Sequence, residues 1–166
     1  MNTVKPHIDS KLAEILAEVS DPEIPVLSIM DMGVVRHAEM VNGVAEIAIT
    51  PTYSGCPAMD VIGDDIKKAL RDKGIDSTVE LVLAPAWTTD WITEKGRKAL
   101  EDYGIAAPLE PEADIDALLG NKKIVKCPQC GSTNTRLISQ FASTACKAMF
   151  QCEDCHEPFD YFKCLK

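Results

Sequence analysis

The chain has 166 residues, 46% of them hydrophobic, a net charge of −9 and a pI of about 4.8. That length accommodates one domain, or one plus a small appendage. The acidic balance argues against nucleic-acid binding, which relies on basic patches that displace counterions from phosphate. No run of 18 apolar residues predicts a membrane span.

The start, MNTVKPHIDSKLAEILAEVSDPE, lacks the basic region, apolar stretch and small-residue cleavage site of a secretory signal, so the cytoplasm is expected. In that reducing compartment seven cysteines read as ligands or reactive thiols, not disulfides.

Leu12, Ile15, Leu16 and Val19 follow the i, i+3, i+4, i+7 pattern of a helix capped by Asp9 or Ser10. Pro22 and Pro25 stop it. Asn42-Gly43, a type I′ turn pair, joins two strand-like runs near 34–41 and 44–50, with Ile47 and Ile49 on one face. After the loop PTYSGCP, the residues Ala58, Ile62, Ile66 and Leu70 predict a second helix that closes at Gly74. STVELVLAP reads as a third strand, and 89–103 as a third helix. Residues 105–122, with two prolines and four acidic residues around Ile115–Leu119, read as a linker with one docked turn.

The remaining 123–166 hold six of the cysteines. The acidic excess lies upstream, because this tail carries six Lys/Arg against four Asp/Glu. Cys127 and Cys130 form one Cys-x-x-Cys knuckle, and Cys152 and Cys155 form another 21 residues on. Two residues between thiols let a tight turn aim both sulfurs at one ion, and two facing knuckles give a tetrahedral S4 site, a zinc ribbon. Such a site is closed to substrate, so the expected role is structural, stapling a tail too short to build its own core. Spacing alone leaves iron open as the metal. Cys146 and Cys164 are either small buried hydrophobes or spare thiols.

Cys56 stands alone upstream. With Pro57 at the first helical position, its thiol lies near a helix N-cap, where backbone N–H groups and the helix dipole favour a thiolate. Thr50, Thr52 and Ser54 add hydroxyls, and Asp21 and Glu23 come from the first loop. A nucleophile, a soft-metal ligand and an inert buried cysteine are all consistent with this setting.

SDPEIPVLSIMDMGVV followed by a hairpin and TPTYSGCPAMDVIGDDIKKAL resembles the small domain of iron–sulfur assembly factors of the SufT and MIP type. Its Asp-Pro-Glu, Asp-x-Gly-x-Val and Thr…Cys-Pro elements stand here at Asp21–Glu23, Asp31–Val35 and Thr50–Pro57. The tail, with FASTACKA at 141–148 and CEDCHEPFD at 152–160, is similar to the D-subunit family of bacterial phenylacetyl-CoA epoxidases. The resemblance implies an accessory or maturation role in aerobic phenylacetate catabolism, beside a di-iron oxygenase and a flavin and iron–sulfur reductase.

An α/β (α+β) fold is therefore expected: an α-β-β-α-β-α domain over 1–105, a linker over 106–122 and a zinc ribbon over 123–166. The first functional reading makes Cys56 a transient ligand for iron or an iron–sulfur unit delivered to the oxygenase or reductase, bordered by Asp21, Thr50, Thr52 and Ser54. The second is an interaction subunit in which Cys56 is inert. The third, an enzyme with Cys56 as nucleophile, lacks a recognisable base. Walker and Gly-x-Gly-x-x-Gly patterns are absent. The three histidines do not supply the paired Glu-x-x-His motifs on helices that a di-iron site needs. Oligomeric state is left open.

Overall fold

A computed structural model describes residues 6–109, 111–122 and 124–163; at 111, 112 and 114 only the backbone is described. By contact the chain divides into two compact units, Met1–Trp87 with Trp91–Thr93, and Thr88–Asp90 with Glu94–Lys166. Among the described residues no helix is long and apolar enough to cross a membrane.

The first unit runs β1 (His7–Ile8), α1 (Ser10–Leu16), β2 (Val35–Val41), β3 (Val44–Ile49), α2 (Ala58–Asp72) and β4 (Asp76–Leu81). The sheet order is β1-β2-β3-β4. The β2–β3 pair is antiparallel, while β1 and β4 pair in parallel with their neighbours. Asp9 caps α1, its side chain accepting the Lys11 N–H at 2.8 Å. The hairpin is as expected: Asn42 and Gly43 both have positive φ, 50° and 86°, as a two-residue primed turn requires. β1 is not legible in the sequence, because two residues carry no periodicity.

Ala38, Ala45, Ile47 and Ile49 turn one face of the sheet inward. Against it pack Leu12, Ile15 and Leu16 of α1 and Ala58, Met59, Ile62, Ile66 and Leu70 of α2. The loop between α1 and β2 adds Ile24, Leu27, Ile29, Met32 and Val34, none more than 3% exposed. Each such large side chain contributes about 1.5–3 kcal/mol of burial, so this loop is part of the core.

The Asp31-Met32-Gly33 stretch fixes that loop. The Asp31 carboxylate accepts bonds from the Ser28 and Thr93 hydroxyls at 3.0 and 2.8 Å, and the Trp87 Nε1–H donates to the Met32 carbonyl at 3.0 Å. Gly33 has φ +75°, and a Cβ there would lie 2.4 Å from the Trp91 carbonyl oxygen. Only glycine meets both demands.

The helix expected over 89–103 is shorter. A 3-10 turn covers Thr89–Trp91, and α3 covers Glu94–Tyr103. The Thr93 N–H donates to the Asp31 carbonyl, and Arg97 donates to the Thr89 carbonyl at 2.9 Å, so the ladder is broken between turn and helix.

The second unit continues with β5 (Ile105–Ala106), α4 (Pro111–Leu118), β6 (Thr135–Ser139), β7 (Lys147–Cys152) and β8 (Pro158–Phe162). The sheet order is β5-β8-β7-β6. The stretch expected to be a linker thus supplies an edge strand parallel to β8 and a helix whose Ala117 is 1% exposed. The core joins Ala106, Val125, Ala148, Phe150, Phe159 and Tyr161 to two of the cysteines, with Phe150 edge-on to Tyr161 at 5.5 Å. The Tyr161 hydroxyl also accepts the Leu109 N–H at 3.0 Å. A short apolar edge strand among prolines has no pattern that separates it from a linker.

Candidate metal sites

The sulfurs of Cys127, Cys130, Cys152 and Cys155 all lie within 4.8 Å of one another. Cys127 and Cys155 are 3.7 Å apart, and Cys130 and Cys152 are 3.5 Å apart. A tetrahedral ion with bonds of about 2.3 Å to thiolate holds its sulfurs roughly 3.8 Å apart, so the donor set fits zinc. The Gly131 N–H donates to the Cys127 carbonyl at 2.9 Å, and the Cys155 N–H approaches the Cys152 sulfur at 3.5 Å. The residue after each second cysteine has positive φ: Gly131 at 76° and His156 at 63°. Cys127 and Cys152 are buried, whereas Cys130 and Cys155 face outward.

The protons show what this crowding demands. The Cys155 N–H draws the Cys152 thiol down to about 7. The Glu157 N–H favours the Cys155 thiolate, but burial and the neighbouring cysteines outweigh it and push Cys155 up to about 12. Four thiolates in this space need a cation, and a bound dication deprotonates coordinating thiols.

His156 is exposed, and its conformation serves the knuckle turn. Glu153 does stand three residues before it, but in a turn and not on a helix, so the pair is not a di-iron motif. Cys146 is buried, with its sulfur 3.1 Å from the Thr144 hydroxyl; Cys164 lies outside the described residues.

At Cys56 the helix begins later than expected. Pro57 is the N-cap residue and Ala58 the first helical one. Cys56 is half-buried, and the Ala58 N–H and the Thr52 hydroxyl favour its thiolate. The expectation of a depressed thiol pKa does not hold. Burial pushes the thiol up, and Glu23 and Asp21 push it further, overriding the two hydrogen bonds.

Asp21 is 6% exposed, and its Oδ1 accepts from the Glu23 and Ile24 N–H groups, both at 2.8 Å. That turn presents Glu23 toward the field of the thiol. Thr50 is 1% exposed and its hydroxyl has no hydrogen-bond partner. Thr52 is buried and Ser54 exposed. The structure thus ties Thr52, Asp21 and Glu23 electrostatically to Cys56 and leaves Ser54 at the loop tip. From the sequence Glu23 reads only as a loop residue. Its signal is the Asp-Pro-Glu turn, which carries it past a buried aspartate.

Residues 9–81 match the family model described as "Iron-sulfur cluster assembly protein", and residues 111–163 the one described as "PaaD zinc beta ribbon domain". Over 172 residues the chain is 43% identical to the putative D-subunit of the 1,2-phenylacetyl-CoA epoxidase of Escherichia coli (strain K12), covering 98% of this chain and 97% of that one. It is 38% identical over 88 residues to "Fe-S protein maturation auxiliary factor YitW" of Bacillus subtilis (strain 168), covering 51% and 85%. A crystal structure of a DUF59 domain of unknown function from Bacillus anthracis superposes with a TM-score of 0.51 at 31% identity, over 54% of this chain and 88% of that chain. A likeness at 43% identity over nearly the full length of both chains carries both units together. On that footing the chain belongs to the D-subunit family of phenylacetyl-CoA epoxidases.

Proposed function

We propose that the protein is an accessory factor of a phenylacetyl-CoA epoxidase system. It would assist iron or iron–sulfur assembly in the oxygenase or reductase subunits, which are its partners. The observation that carries this reading is the end-to-end likeness to an epoxidase component, combined with an assembly-type first unit shared with a maturation factor. Zinc held by Cys127, Cys130, Cys152 and Cys155 staples the second unit. It supplies no chemistry, because four thiolates leave no open position.

Cys56 is the transient ligand for the cargo. Its surroundings favour that role over catalysis by a nucleophile. The carboxylates that raise its pKa disfavour a free thiolate but attract a cation, which takes the place of the proton. His37 pairs with Glu39 at 3.6 Å on the exposed side of β2. The buried Thr50 hydroxyl, at the head of the loop that carries Cys56, adds support: without a partner it costs about 1–3 kcal/mol, which a bound cargo would offset.

The test is Cys56→Ala in cells growing on phenylacetate, with iron measured on the purified oxygenase and reductase. The variant is expected to fold, retain its zinc, and leave those partners iron-poor while growth fails. Normal growth with fully loaded partners would show that Cys56 is not the working residue and that the protein acts as an interaction subunit.

A further inference from the structure

The first sheet ends, among the described residues, in an open edge. β4 closes the order β1-β2-β3-β4 and pairs on one side only, with β3. The Val82 N–H donates to the Ile49 carbonyl at 2.9 Å, which turns the even-numbered backbone groups of β4 toward β3. By the alternation of a strand, the N–H and C=O groups of Ser77, Val79 and Leu81 point outward. Edges are commonly blunted by a bulge, a proline or a lysine. β4 reads DSTVEL and keeps an unbroken register with β3, so it carries none of these. Its apolar end lies open, with Leu81 50% exposed and Leu83 58% exposed.

The strand favours one way of pairing with itself. Antiparallel pairing centred on Val79 sets outward residues against outward residues, Val79 on Val79 and Ser77 on Leu81, while Thr78 faces Glu80. Moving the centre to Glu80 sets Glu80 against Glu80, and moving it to Thr78 sets Asp76 against Glu80. Like charges directly opposite are destabilising. Helix α2 obeys the same centre. A Cβ on Gly63 would lie 3.9 Å from the Val79 side chain, so the helix passes over β4 at this residue. Asp60 and Lys67 stand one turn before and one turn after Gly63. Both line a cleft of about 330 Å³ whose apolar wall is Ile49, Met59, Val79 and Leu81. Asp64, between them, is already held by Lys67 at 3.8 Å. A two-fold axis through Val79, perpendicular to the sheet, keeps both α2 helices on one face and reverses their directions. It carries Lys67 toward Asp60 of the second copy, and Asp60 toward Lys67 of that copy. Backbone register and helix charge thus select the same axis.

We infer that β4 is the contact through which two copies of this chain form a two-fold dimer, joining two four-stranded sheets into one continuous sheet. Each outward N–H of one copy then meets an outward carbonyl of the other. The pairing covers Leu81, and the two Lys67–Asp60 pairs close the helix side. The inference stands on the geometry of the first unit and does not depend on the maturation role.

The experiment uses the full chain with its ribbon zinc in place, at about 0.15 M salt, which screens acidic surfaces from each other beyond roughly 8 Å. Sedimentation velocity over a concentration series should show monomer passing to dimer. Hydrogen exchange read by nuclear magnetic resonance should show the Ser77, Val79 and Leu81 amides gaining protection as the dimer fills. Val79→Pro removes an outward N–H, spares the ladder to β3, and should abolish the dimer. Lys67→Glu turns two symmetry-related pairs repulsive and should weaken the dimer roughly tenfold or more. The exchanged pair, Asp60→Lys with Lys67→Glu, should restore it. Asp60 is exposed and Lys67 half-buried, so these variants keep the test sound should the proline disturb the strand. Sedimentation as a monomer up to about 1 mM overturns the proposal. So does a dimer whose β4 amides stay unprotected, or one that survives both Val79→Pro and Lys67→Glu.

Discussion

Replacing Gly33 by alanine tests whether the Asp31–Val35 motif is a packing device. At φ +75° the left-handed backbone costs an alanine about 1–2 kcal/mol. Its Cβ would also lie 2.4 Å from the Trp91 carbonyl oxygen and 2.7 Å from the Trp91 Cβ. No rotamer change moves a carbonyl, so overpacking adds about 1–3 kcal/mol. Gly43 is the control: its φ is +86°, and nothing lies within 4 Å of a Cβ there, so Gly43→Ala carries the backbone cost alone. The difference of about 1–3 kcal/mol corresponds to roughly 4–8 °C in Tm per kcal/mol for a unit of this size. Trp87 and Trp91 are the chain's two tryptophans, and both lie in the first unit, so fluorescence on heating reports that unit. Gly33→Ala should melt well below Gly43→Ala. Coincident transitions would mean that the Trp91 segment is not seated on the glycine.

Zinc removal by a strong chelator should unfold the second unit and spare the first, because structural zinc contributes about 10–16 kcal/mol to a domain of this kind. Hydrogen exchange should then rise from Glu94 onward while the tryptophan emission stays native; loss of protection across both units would contradict the division. Cys152→Ser removes a buried ligand and should cut soluble yield far more than Cys56→Ser, with equal losses placing Cys56 in the core. Because Glu23 raises the Cys56 thiol, Glu23→Gln should lower its pKa and speed iodoacetamide labelling of Cys56 below that pKa, as read by peptide mass mapping. An unchanged rate would show that burial, the leading cause, acts alone.

The parts of the fold that can be read from sequence are those with a period or a fixed turn chemistry. The Leu12–Val19 stripe, the Asn42-Gly43 turn and the Ala58–Leu70 stripe each produce the element they predict. The four-cysteine cluster is legible because its spacing is itself the geometry. What escapes is decided by long-range pairing. Ile105 and Ala106 become a strand only because β8 offers an edge, and Thr93 leaves the helix because Asp31, 62 residues away, takes its N–H and its hydroxyl. The Cys56 pKa runs against its local setting for a similar reason. Helix polarity is visible locally, whereas burial and the approach of Glu23 are properties of the folded loop.

The same contrast separates the two sulfur sites chemically. In the ribbon, two buried and two outward thiols converge on one point, a closed donor set that fits a structural dication. At Cys56 a single thiol sits half-buried, kept neutral by its surroundings and flanked by carboxylates that a proton does not satisfy. One sulfur offers a cation a single soft bond, too little for permanent retention. Its affinity also falls whenever a proton competes, since the ligand is the thiolate. A closed site is built to keep its metal; in the proposed role, the lone Cys56 thiol would release its cargo again. On the proposed role, the asymmetry between staple and carrier would follow from the number of sulfurs that each backbone brings together.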